Sequence, residues 1–182
     1  MDKRPMLAHR LGVSIHCSPL DFKLKRLADR HAVPQDQLEE WLVDLANHRG
    51  ARVVERRIGA EPEWPDLPAS QLGDEELAVL ICQPQRLDHP QILRLAAQLV
   101  SKGRLELDRL ILTARRERAD RILGELARQA LRVDPSHPAW NGLARAFAKS
   151  PSPSEPLIHW SRLAEPVPHH GVCDGQSWRL VA

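Results

Sequence analysis

Leu11, Val13, Ile15 and Cys17 alternate with Gly12, Ser14 and His16, and this period of two makes residues 10–17 a half-buried strand. The period then changes. Ser18-Pro19-Leu20-Asp21 reads as a helix start, with a capping hydroxyl, proline at the first helical position and an acid in the first turn. Leu20, Leu24, Leu27, Ala28 and His31 follow at helical spacing. Pro34 opens a second helix with the apolar stripe Leu38, Trp41, Leu42, Leu45 and Ala46, and Gly50 stands where a left-handed cap is expected. Residues 51–58, with Val53 and Val54 among arginines, predict a second strand.

Beyond this module the chain turns helical. Pro62, Pro65 and Pro68 leave no regular element in residues 61–73, a proline-rich connector. Asp74-Glu75-Glu76 before the run Leu77 to Cys82 favours a short buried helix, with a buried strand as the alternative. Asp88-His89-Pro90 starts a helix through Ile92, Leu95 and Leu99 to Gly103, and a long helix is predicted from Leu107 to Val133, stopped by Pro135. Ser136-His137-Pro138 begins a last helix carrying Trp140, Leu143 and Phe147, which closes a helical module over residues 74–149. A proline/serine spacer (150–156) leads to residues 157–182, whose apolar anchors predict a docked C-terminal tail. The fold class is therefore α+β and mainly α: a small sheet with a helical pair over residues 1–60, then a helical module.

Composition and charge narrow the function. The 182 residues are 42% hydrophobic and 27% charged, the profile of a soluble globular protein, and the longest apolar run is far short of a membrane span. With no apolar leader core the expected location is cytoplasmic. Cys17, Cys82 and Cys173 are too few and too scattered for a disulfide framework. The seven aromatics include no tyrosine and leave little for base stacking, and the nine glycines form no phosphate loop. The formal net charge of +2 conceals alternation: +3 over residues 1–60, −4 over 61–103, +4 over 104–150 and −1 over 151–182. Arginine supplies 21 of the 26 basic residues, as in a GC-rich bacterial genome.

Residues 24–43, LKRLADRHAVPQDQLEEWLV, resemble the helix-turn-helix pattern. Ala28 takes the small position where the helices cross, Val33 the apolar turn position, and Leu38 and Trp41 the buried positions, with Leu27 in support. Ala32 stands where glycine is usual, so either it adopts a left-handed conformation or the turn is of another type. The order strand, helix, helix, strand over residues 10–58 is similar to a winged helix. The second helix, however, offers acids to a groove: Asp36, Glu39, Glu40 and Asp44 are expected on its exposed side, with only Gln35 and Gln37 suited to bases. The basic residues lie on the first helix (Lys23, Lys25, Arg26, Arg30) and the wing (Arg52, Arg56, Arg57), where they suit phosphates.

Two more clusters carry possible chemistry. Arg115, Arg116, Arg118 and Arg121 share one stretch with Glu117 and Asp120, which on a continuous helix reads as a salt-bridged solvent face, or alternatively as an anion or nucleic-acid patch. His169, His170, Cys173 and Asp174, near His159, are metal-ligand types, but their spacing matches no closed zinc site. No serine lies in a nucleophile elbow, and Cys82 sits in a run that buries it. The sequence thus predicts a non-enzymatic interaction protein, an adaptor or accessory subunit of a bacterial assembly, with no cofactor. Trp160, Leu163, Trp178 and Leu180 are its candidate partner contacts. The alternative is a DNA- or RNA-binding accessory protein of winged-helix type, and the minor one a metal-dependent enzyme.

Overall fold

The computed structural model describes residues 18–51, 64, 66–83, 92–102, 104–151, 156–166 and 178–180. Among them the chain is mainly helical. Seven α-helices follow in order: α1 (Pro19–Arg30), α2 (Leu38–His48), α3 (Asp74–Ile81), α4 (Ile92–Ser101), α5 (Leu107–Arg116), α6 (Asp120–Ala130) and α7 (Pro138–Ala146). None of the described helices is long and apolar enough to cross a membrane. The strands expected over residues 10–17 and 51–58 lie outside the described residues, apart from Ala51, which follows the turn after α2. The two described strands are instead in the tail: β1 (Ala164–Pro166) pairs antiparallel with β2 (Trp178–Leu180), Ala164 opposite Leu180.

The six-residue apolar run resolves as helix. Leu77, Ala78, Val79, Leu80, Ile81 and Cys82 have no exposed surface, because α1, α2, α4 and α5 all pack on α3. A helix covered on every side has no polar stripe, which is why its period was ambiguous. The three acids at its start each reach a different element. Asp74 Oδ1 accepts from Arg49 Nη1 at 2.5 Å, after the end of α2. Glu75 Oε1 accepts from the Glu106 backbone amide at 2.9 Å, before α5. Glu76 accepts from Lys23 Nζ of α1 at 2.7 Å and from the Gly73 amide at 3.0 Å. Carboxylates are favoured at this end of a helix by the backbone dipole, and here each one also fixes a neighbour.

Three helices end in the same turn. After α1, Val33 N–H reaches the Ala28 carbonyl at 2.9 Å and Ala32 N–H the Asp29 carbonyl at 3.4 Å. After α2, Ala51 bonds Ala46 and Gly50 bonds Asn47; after α5, Ala119 bonds Ala114 and Arg118 bonds Arg115. This is the paired six-to-one and five-to-two closure that requires a left-handed residue between the partners. Gly50 supplies it with φ 90°, but Ala32 (φ 55°) and Arg118 (φ 58°) also adopt it. Of the two possibilities for Ala32, the left-handed one is realised.

The turn at Arg118 corrects the reading of residues 107–133 as one helix. They form α5 and α6, broken at Glu117–Ala119 without glycine or proline. Glu117 is 1% exposed and its Oε2 lies 3.4 Å from the Leu20 amide at the start of α1, so burial of this side chain holds the corner. A second correction concerns Asp44, expected to face outward but 1% exposed, since the α2 face that carries it packs inward. Asp36 and Glu40 are exposed and Glu39 is half-buried.

One cluster of buried side chains runs from Leu20 in α1 to Leu180 in β2 and includes Leu67 and Leu72 from the connector. Arg49, its side chain 8% exposed, grips that connector by donating to the carbonyls of Leu67 (3.1 Å) and Leu72 (2.6 Å). The tail contributes Leu157, Ile158, Leu163 and Leu180 to the cluster, so it packs on the chain's own body.

Candidate nucleic-acid interface

The corner between α5 and α6 opens onto a cleft of about 790 Å³ closed on its other side by the end of α7. Arg115, Arg118, Arg121, Arg145 and Lys149 line it, with Asp120 the one carboxylate among the described lining residues. That carboxylate is engaged, since Ser150 Oγ donates to Asp120 Oδ2 at 2.9 Å. Buried Phe147 forms part of the wall, with the Arg115 guanidinium 6.0 Å from its ring centroid. Arg115 Nη2 also donates to the Ala146 carbonyl at 3.1 Å, which orients the side chain. Close approach of α6 and the end of α7 depends on Gly124, where a Cβ would lie 3.1 Å from Phe147 Cβ. Arg118, Arg145 and Lys149 are exposed and have no carboxylate partner among the described residues. Guanidinium groups stay charged at all physiological pH values and match phosphate oxygens two at a time. The arrangement therefore concentrates positive potential at one concave place.

The basic face of α1 forms a second, smaller cleft of about 460 Å³, lined by Phe22, Lys23, Arg26 and Arg30 together with Ser70 and Gln71. Two of the four basic residues named on this helix are already paired, Lys23 with Glu76 and Lys25 with Asp21 at 2.9 Å. Arg26 and Arg30 are exposed and unpaired among the described residues. For Glu76, burial alone pushes the carboxyl up. The hydrogen bonds from Lys23 and the Gly73 amide, with the charges of Lys23 and Arg109, outweigh that and hold it below the ordinary carboxylate range.

Comparison with family models, curated proteins and solved structures finds no match.

The candidate residues thus separate into groups. Arg115 and Arg118 meet in the larger cleft, whereas Arg116 lies outside its lining and donates to Glu117 Oε1 at 3.0 Å. Arg121, named with the same stretch, joins them there, as do Arg145 and Lys149, which were not among the candidates; the +4 of residues 104–150 was the available signal for those two. Leu163 (1% exposed) and Leu180 (7%) are spent on the chain's own core, while Trp160 is half-buried beside His159, ring centroids 5.3 Å apart. Trp178 lies in β2 opposite Pro166. Arg52, Arg56, Arg57, His169, His170, Cys173 and Asp174 lie outside the described residues. No group of three potential metal ligands occurs among the described residues.

Proposed function

We propose that this chain is a non-enzymatic, cytoplasmic accessory protein that binds nucleic acid mainly through phosphate contacts. The observation that carries this reading is the convergence of five basic side chains from three segments on one cleft, against one carboxylate among the described lining residues. Coulombic attraction in such a cleft is sequence-independent, and counterion release from the polyanion supplies the affinity. The acids at and just before the start of α2, with Asp36 in the preceding turn and Glu40 on the helix both exposed, oppose insertion of that helix into a groove, so positioning rather than base reading is the function assigned. In the winged-helix version of this proposal, α1 and α2 form the helical pair and Arg52, Arg56 and Arg57 the wing. Burial of Leu163 and Leu180 against the body removes two of the four candidate partner contacts from the surface, which favours nucleic acid over the adaptor reading.

The test is fluorescence anisotropy with labelled duplex and single-stranded oligonucleotides between about 50 and 200 mM salt. The logarithm of affinity should fall linearly with the logarithm of salt, and replacing Arg145 and Lys149 by glutamine should flatten the slope by about 2. A double variant that binds with unchanged affinity and slope refutes the cleft, and absence of binding at low salt refutes the function.

A further inference from the structure

We infer that the α1 cleft takes an unpaired base of a single strand on Phe22, with the adjoining phosphates on Arg26 and Arg30. The inference rests on the nucleic-acid reading above but uses a different surface. Phe22 is 58% exposed, and with Leu112 it is one of two large apolar side chains left in solvent among the described residues. The residues Phe22, Arg26 and Arg30 recur every fourth position, so they follow one side of α1 with about 6 Å of rise between successive members. Neither arginine is engaged by a carboxylate among the described residues; the nearby Asp29 accepts from Gln35 Nε2 at 3.3 Å. The neighbouring Lys23 is held by Glu76, which leaves the two guanidinium groups as the cations of the cleft without a carboxylate partner among the described residues.

The chemistry selects a single strand over a duplex. A duplex keeps its bases stacked and presents phosphates, to which a phenyl ring offers nothing. An unpaired base presents a π face, and stacking on an aromatic side chain is tolerant of sequence because every base has such a face. An acidic protein would satisfy Arg26 and Arg30 equally well but gives no role to an exposed ring beside them. Exposed Ser70, which also lines the cleft, adds a hydroxyl able to bond a sugar or base edge.

The experiment measures binding of a labelled oligothymidine, a duplex of mixed sequence and heparin to the wild-type chain, Phe22→Ala, Phe22→Leu and the Arg145→Gln/Lys149→Gln variant. Phe22 is exposed, so its variants are expected to fold, which circular dichroism checks. Both Phe22 variants should bind the single strand about tenfold more weakly, with duplex and heparin unchanged. Leucine retaining full affinity would mean a plain apolar contact, and equal losses on all three ligands would mean a general polyanion surface; either result overturns the inference. Unchanged single-strand binding by Phe22→Ala, with loss in the Arg145/Lys149 variant, overturns it while leaving the larger cleft intact. No binding by the wild-type chain overturns both readings.

Discussion

Replacing Ala32 by glycine should stabilise the protein, because the turn after α1 places an alanine where the backbone is left-handed (φ 55°). A side chain in that region costs about 1–2 kcal/mol through the clash of its Cβ with the following carbonyl. Glycine removes the clash but enlarges the freedom of the unfolded chain, which returns about 0.4–1 kcal/mol. The methyl group of Ala32 is exposed, so no packing is lost. The net gain expected is about 0.5–1 kcal/mol, or a rise in Tm of about 2 °C for a chain of this length. Gly50 provides the inverse control. It occupies the equivalent position after α2 with φ 90°, and a Cβ there would lie 2.6 Å from Lys102 Nζ, which donates to the Gly50 carbonyl. Gly50→Ala should therefore destabilise by about 1–2 kcal/mol. Urea denaturation followed by circular dichroism measures both. An Ala32→Gly midpoint at or below wild type, or a Gly50→Ala midpoint unchanged, would refute the argument that these three turns share one geometry.

Arg118→Gly should raise stability by a similar increment while weakening polyanion binding and reducing its salt slope by about 1, two readouts that move in opposite senses. Arg49→Met should cost about 3 kcal/mol in urea denaturation, since it strands the carbonyls of Leu67 and Leu72; Arg49→Lys should recover only part, because an ammonium lacks the guanidinium fork. The lowered Glu76 carboxyl contributes stability that is fully present above the ordinary carboxylate pKa of the unfolded chain and is lost as pH falls through the lower folded value, so Glu76→Gln should flatten the acid limb of a stability–pH curve. Burial pushes the Cys82 thiol far up, so peptide mapping after iodoacetamide treatment should find Cys82 modified only in denaturant.

The boundaries that punctuation sets were legible from residues alone. Ser18 caps α1 by accepting from the Asp21 amide at 2.9 Å, and Pro19 and Pro138 sit at the first positions of their helices. The corner at Glu117–Ala119 was not legible, because arginine and alanine carry no local stop signal and helical spacing continues through them. What ends α5 is tertiary: Ala114 and Ala119 are fully buried, and Glu117 is drawn to the amide of Leu20, 97 positions away in the chain. The site was half legible for the same reason. Arg115 and Arg118 stood out as a local cluster, but Arg145 and Lys149 reach it only because α7 folds back on α6 across Gly124. Phe22 falls outside the apolar stripe of α1, and its exposure depends on which side of that helix the core covers.

The corner also explains why a strained residue persists there. A left-handed glycine would close the turn after α5 at lower cost, as Gly50 does after α2, yet position 118 carries a long cationic side chain lining the larger cleft. Strain of about 1–2 kcal/mol is retained only where surrounding structure holds it, and such residues concentrate at functional sites. The same turn at Ala32, which lines neither cleft, bears the strain with no charge to position. Under the proposed function, binding separates the two positions where stability does not. Glycine at 32 should be free of any effect on binding, and glycine at 118 should not, so comparing the two variants at equal stability isolates the contribution of the arginine from that of the turn.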